Sequence, residues 1–106
     1  MAPTDEFAEA VLDVVARIPA GRAMSYSDVA AALGSRAARR VGQVLARHGG
    51  EVPWWRVLRA DGRPPQGHEQ AALEHYRAEG TPLRASAAGW RVALTTARWL
   101  PWRDDA

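Results

Sequence analysis

Gly34 and Ser35 separate two short amphipathic segments, and this two-residue turn restricts the fold more than any other feature of the chain. Glycine reaches the left-handed conformation that stops a helix without steric cost. A serine directly after it can cap the next helix by accepting from an unpaired backbone N–H. Two helices joined so tightly form a helix-turn-helix.

The flanking segments fit that frame. Residues 4–18 place Phe7, Val11, Val14, Val15 and Ile18 on one helical face, with Thr4 or Asp5 as cap and Pro19 and Gly21 as stop. AGRAMSY is an irregular or short extended link to a second cap, Ser27, with Asp28 in the first turn, where negative charge suits the helix dipole. A helix over residues 28–33 then buries Val29, Ala30 and Leu33. The third helix, RAARRVGQVLAR, aligns Ala37, Val41, Val44 and Leu45 as a core stripe. Arg36, Arg40, Gln43 and Arg47 fall on another face, with Arg39 between them and Ala38 beside it. One side packs and the other is cationic.

Downstream, His48, Gly49 and Gly50 end that helix. WRVLRADGR predicts a hairpin arm, with Trp55, Val57 and Arg59 on one face, Arg56 and Leu58 on the other, and Asp61-Gly62 as turn. Pro64 and Pro65 keep any return strand short. A helix over residues 68–79 turns Ala72, Leu73 and Tyr76 inward and stops at Gly80. The tail supplies a strand or a final turn, with Trp90, Trp99, Leu100 and Trp102 closing the core. The expected fold is a single domain over 1–106, mainly α with a small β-hairpin: a winged helix-turn-helix DNA-binding domain.

Composition narrows the chemistry. All 14 basic residues are arginine, and nine of them lie between Val14 and Arg63 against Asp28, Glu51 and Asp61. A GC-rich coding bias explains arginine in place of lysine but not this clustering, which suits a phosphate binder. The chain has no cysteine, which excludes disulfides, thiolate metal sites and sulfur nucleophiles. His48, His68 and His75 are irregularly spaced for a zinc site, so no metal and no cofactor is expected. No apolar run approaches a membrane span and the acidic start is no signal peptide, so the expected location is cytoplasmic.

Four segments in order, IPAGRAMSYSDVAAALG, AARRVGQVL, PWWRVLRADG and YRAEG, resemble the DNA-binding domain of the O6-alkylguanine-DNA alkyltransferases. The resemblance runs from about Phe7 to Gly80. Where that family carries Pro-Cys-His-Arg, this chain reads Pro53-Trp54-Trp55-Arg56. Tryptophan in place of the reactive cysteine resembles the alkyltransferase-like proteins, which bind alkylated DNA without repairing it. Their pattern is Pro-Trp-His-Arg, so Trp55 is a further departure. An indole has no lone pair with which to accept an alkyl group, so the resemblance implies a protein that is not an enzyme.

The resemblance also implies roles. Tyr26 matches the tyrosine that helps rotate the target nucleotide outward, and Arg39 the arginine that enters the base stack. Ala37 and Ala38 allow close approach to the minor groove, while Arg36, Arg40 and Gln43 touch backbone. Pro53, Trp54, Val57 and Leu45, beside Tyr26, line the pocket for the everted guanine. Trp55 points away and packs under the third helix. Arg56 braces the segment through backbone carbonyls. Glu79 matches the carboxylate of a proton relay and is expected to be structural here. The family residue that senses the O6 position lies in a loop that differs here, GRPPQGHEQ, and either Arg63 or His68 can reach the pocket.

The implied function is recognition of O6-alkylguanine in double-stranded DNA by a monomer that flips the lesion and flags it to nucleotide-excision repair proteins. A winged-helix transcription regulator reading a specific DNA site is the alternative that the helices alone permit.

Overall fold

The computed structural model describes residues 5–87 and 89–104. Thr4, one of the two expected caps, lies outside them; Asp5 caps the first helix by accepting from the Phe7 N–H at 2.9 Å. Helix α1 (Glu6–Arg17) buries Val11, Val14 and Val15, and its C-cap Ile18 is buried as well. Strand β1 (Met24–Ser25) leads into α2 (Tyr26–Ala32), and α3 (Ala38–His48) follows the Gly34 turn. Gly34 has φ of 68°, the left-handed stop that the sequence predicts.

Two local assignments differ. The cap of α2 is Ser25 rather than Ser27. Ser25 Oγ accepts from the Asp28 N–H while Asp28 accepts from the Ser25 N–H, a reciprocal capping box that draws Asp28 into the interior. Ser35 accepts from the Ala37 N–H at 3.0 Å, one residue ahead of α3, whose own N-cap position is Ala37.

The segment WRVLRADGR, residues 55–63, is not a hairpin arm. Trp54–Arg56 form a single 3-10 turn, and β2 (Val57–Leu58) pairs in parallel with β1, Met24 opposite Val57 and Ser25 opposite Leu58. Both β2 side chains are fully buried, so the strand is an interior strut rather than an exposed wing. The antiparallel hairpin lies later, between β3 (Leu83–Ser86) and β4 (Gly89–Val92), after α4 (Glu69–Glu79) and its left-handed Gly80 cap.

Two short helices, α5 (Leu94–Ala97) and α6 (Pro101–Asp104), complete the fold. Trp99 and Leu100 are buried as expected, but Trp102 is 54% exposed. Ala97, at the end of α5, and Trp99, just after it, bond to Ala23 in both directions, and Arg98 reaches the buried Asp28 carboxylate. The tail therefore locks the capping box of α2 from behind.

Interior apolar residues form two clusters. One gathers α1, α2 and α3 around Val11, Val15, Val29 and Val41; the other joins Leu58, Ala72, Tyr76 and Val92. Each fully buried valine or leucine contributes roughly 1.5–3 kcal/mol relative to exposure. The β1–β2 pair bridges the clusters, and it also sets Tyr26 and the Trp54–Arg56 turn at a fixed separation.

Candidate nucleic-acid interface

Helix α3 presents two adjoining sides away from the core. Arg39, Gly42 and Ala46 recur at helical spacing on one side, and Arg40, Gln43 and Arg47 on the adjoining side. Arg36, Arg39, Arg40, Gln43 and Arg47 are all exposed, while Ala37 and Ala38 are half-buried. Arg40 alone among these is held, by Asp5 at 3.5 Å and by the Phe7 ring, whose centroid lies 4.2 Å from the guanidinium. Arg36, Arg39 and Arg47 have no ion-pair partner among the described residues. Their charge is available to phosphates.

Beside the Arg39 face lies a cleft of about 390 Å³, within the range of small-molecule sites. Gly42, Leu45, Ala46, Gly49 and Gly50 form one wall; Trp54, Pro65, Gln66 and His68 form the other. Small residues make up much of the first wall: in the turn that follows α3, a Cβ added at Gly49 would sit 3.4 Å from the Trp54 Cβ, and one added at Gly50 would meet nothing within 4 Å. Sequence reasoning does not single out these small residues, although their spacing of four, three and one along a helix places them together.

Of the residues expected to line a pocket, Leu45 and Trp54 do so. Tyr26, half-buried at the start of α2, stands next to the cleft: its ring faces Gly42, where a Cβ would sit 3.8 Å away. Burial pushes the Tyr26 hydroxyl pKa up, partly offset by the charge of Arg59, so the phenol stays neutral. Pro53 precedes the turn that presents Trp54 and is half-buried. Val57 is fully buried in the core beneath.

The two candidates for reading the O6 position separate. His68 lines the cleft, its ring centroid 5.5 Å from that of Trp54. Arg63 instead pairs with Asp61 at 2.6 Å and borders a different recess with Arg59 and Trp90. His48 borders a third recess, with Arg40 and Arg47, and not the cleft that His68 lines.

The tryptophan pair is split by the 3-10 turn rather than by strand alternation. The two indoles lie at 88° to each other, centroids 5.7 Å apart. Trp54 faces the cleft. Trp55 does not pack under α3; it stacks flat on His75 of α4, centroids 3.5 Å apart and planes within 4°. Its indole N–H donates to Glu79 Oε1 at 2.9 Å, and the Tyr76 hydroxyl donates to the Trp55 carbonyl at 2.6 Å.

Arg56 donates to the Ile18 carbonyl at 2.8 Å, the bracing contact expected of it, and also grips Glu79, with Nη2 2.5 Å from Oε1. Glu79 further accepts from the Gly21 N–H. Burial works against its charge, but hydrogen bonds from Arg56, Gly21 and Trp55 outweigh that and hold its carboxyl below the usual range. Glu79 is a structural anchor joining the loop after α1, the Trp54–Arg56 turn and α4.

The chain matches, over residues 6–81, the family described as 6-O-methylguanine DNA methyltransferase, DNA binding domain. It is 46% identical to the DNA base-flipping protein of Escherichia coli, over 93% of this chain and 78% of that protein. It is 31% identical to alkyltransferase-like protein 1 of Schizosaccharomyces pombe, over 92% of this chain and 97% of that one. The crystal structure of S. pombe Atl1 with damaged DNA containing O6-carboxymethylguanine superposes with a TM-score of 0.81 at 29% identity, covering 94% of this chain and 100% of that chain. The helix-turn-helix architecture of the chain is the one seen there. No helix among the described residues is long and apolar enough to cross a membrane.

Proposed function

Because the chain belongs to the 6-O-methylguanine DNA methyltransferase DNA-binding-domain family, we propose that it recognises O6-alkylguanine in duplex DNA without repairing it. The exposed arginines of α3 engage the phosphates, Arg39 enters the stack, and Tyr26 helps turn the damaged nucleotide out. The everted base enters the cleft against Trp54. By family resemblance the protein then flags the lesion for nucleotide-excision repair.

The observation that carries this reading is the position of Trp54, whose ring walls an open cleft next to the Arg39 face instead of being sealed in the core. Extruding a base costs roughly a few kcal/mol, least for a mispaired or damaged one. Stacking on an aromatic ring returns roughly 1–3 kcal/mol. The two nearly balance, so a lesion that weakens pairing tips the exchange toward the cleft.

Dealkylation itself requires a thiolate. The sequence has no cysteine, and Glu79, the carboxylate matching the family relay, is occupied by Arg56 and Trp55. Recognition is therefore proposed as the whole of the activity.

The test is a titration of one duplex with and without a single O6-methylguanine, followed by mass spectrometry of the protein. The proposal expects tighter binding to the damaged duplex and no added methyl. Equal affinity would overturn it, and selection of a fixed sequence from random DNA would favour a transcription regulator instead.

A further inference from the structure

Among the described residues, Arg40 is the only α3 arginine drawn back onto α1. Its Nη2 lies 3.5 Å from Asp5 Oδ2, and its guanidinium stands 4.2 Å from the centroid of the Phe7 ring. The other carboxylate oxygen, Asp5 Oδ1, caps α1 by accepting from the Phe7 N–H at 2.9 Å. The cap therefore fixes the carboxylate that faces Arg40. Both side chains remain more than half exposed. They border a recess of about 180 Å³, with Asp5 on the α1 side and Arg40, Gln43 and Arg47 on the α3 side.

A phosphate that reaches Arg40 through this recess also meets the Asp5 carboxylate. The two anions compete for one guanidinium and repel each other at that range. Phosphate contacts are alike along any duplex, so they supply affinity and register but no discrimination. A carboxylate that weakens one of them lowers binding to damaged and undamaged DNA by the same factor. An exposed ion pair of this kind is weak, which suits a contact that must open each time DNA binds.

We infer that Asp5 is a positioning residue that acts through Arg40: it holds the guanidinium on α1 and restrains the phosphate affinity of α3, so that the protein releases undamaged DNA more readily. This rests on the reading of α3 as the face that engages DNA.

The experiment titrates the unmodified and the O6-methylguanine duplex, at low and at high salt, against wild type, Asp5→Asn, Glu9→Gln, Arg40→Ala and the double variant of Asp5→Asn with Arg40→Ala. Asparagine keeps the capping acceptor and removes the charge, so the thermal midpoint should barely move. Asp5→Asn is expected to bind both duplexes about threefold more tightly at low salt. The ratio between the duplexes should stay unchanged, and the gain should shrink as salt rises. In the Arg40→Ala background the same substitution should have little effect. Glu9→Gln removes an equal charge one turn along α1, from an exposed side chain with no ion pair among the described residues, and should give a far smaller gain. Unchanged or weaker binding by Asp5→Asn, an equal gain without Arg40, or an equal gain from Glu9→Gln would overturn the inference, while binding by wild type upheld α3 as the DNA face. Failure of wild type to bind either duplex would overturn both.

Discussion

The indole N–H of Trp55 donates to Glu79 Oε1 at 2.9 Å, the carboxylate that family resemblance assigns to the end of a proton relay. Tryptophan can donate there but cannot shuttle a proton, because its single N–H has no basic partner nitrogen. With Arg56 on both carboxylate oxygens and Gly21 on one, the group is a three-way clamp. It holds the loop after α1, the Trp54–Arg56 turn and α4 in register.

Removing that clamp should be costly. Glu79→Ala leaves the partly buried Arg56 guanidinium, 16% exposed, without its counter-ion. The expected loss is on the order of 3 kcal/mol, read as a fall in the midpoint of thermal or urea unfolding. Lesion preference of the folded fraction should persist.

Acid should unfold the protein through the same kind of pair. Burial opposes ionisation of Asp28, but Arg98 and the Ser25 hydrogen bonds overcome it, so Asp28, like Glu79, has a carboxyl pKa below the ordinary range. A depressed folded-state value gives stability that is complete above the unfolded value near 4. It is lost as pH falls through the folded value. Thermal midpoints should stay level from neutrality to about pH 5 and drop below that. Asp28→Asn should lower the plateau and flatten the drop, and a parallel curve would contradict this role.

Gly62 and Gly50 should respond oppositely to alanine. Gly62 has φ of 90°, and an added Cβ would overlap the Val92 carbonyl oxygen, a backbone atom that cannot swing aside as a flexible side chain would. Gly62→Ala is expected to cost at least about 2 kcal/mol. Gly50 has open space around it, so Gly50→Ala should change stability by less than about 0.5 kcal/mol while narrowing the cleft and weakening lesion binding. Unfolding midpoints and lesion titrations together check the pair.

The two neighbouring arginines of α3 should separate specificity from general affinity. Arg39→Ala is expected to erase most preference for the damaged duplex. Arg40→Ala should weaken damaged and undamaged DNA alike, and reduce the slope of log affinity against log salt by about one. Because the Arg40 guanidinium also holds Asp5 and lies over the Phe7 ring, its removal should register as a small drop in thermal midpoint.

Helices α1, α3 and α4 are legible in the sequence because each repeats an apolar stripe at helical spacing and ends on a glycine or proline signal. Trp54 and Leu45 are legible through the Pro-Trp-Trp-Arg segment and the stripe of α3. Contacts between distant segments are not. Trp55 finds His75 and Glu79 some 20 and 24 positions away, and no local period announces such a stack. Val57 and Leu58 fall on opposite faces of the expected hairpin arm, yet pairing with Met24-Ser25 buries both. The cap of α2 is within reach of sequence reasoning, since Ser25 stands three residues before Asp28, the spacing of a capping box, but Ser27 stands closer to the apolar run. Trp102 illustrates the converse: a large apolar ring that size and hydrophobicity assign to the core lies outside it.

The central claim is that Trp54 receives an everted, alkylated guanine. Its most direct test is the ratio of affinities for the O6-methylguanine duplex and the unmodified duplex, measured for wild type and for Trp54→Ala under one salt condition. Loss of the stacking wall should reduce that ratio by roughly tenfold and leave binding to the unmodified duplex unchanged. An unaltered ratio, or an equal loss on both duplexes, would contradict it.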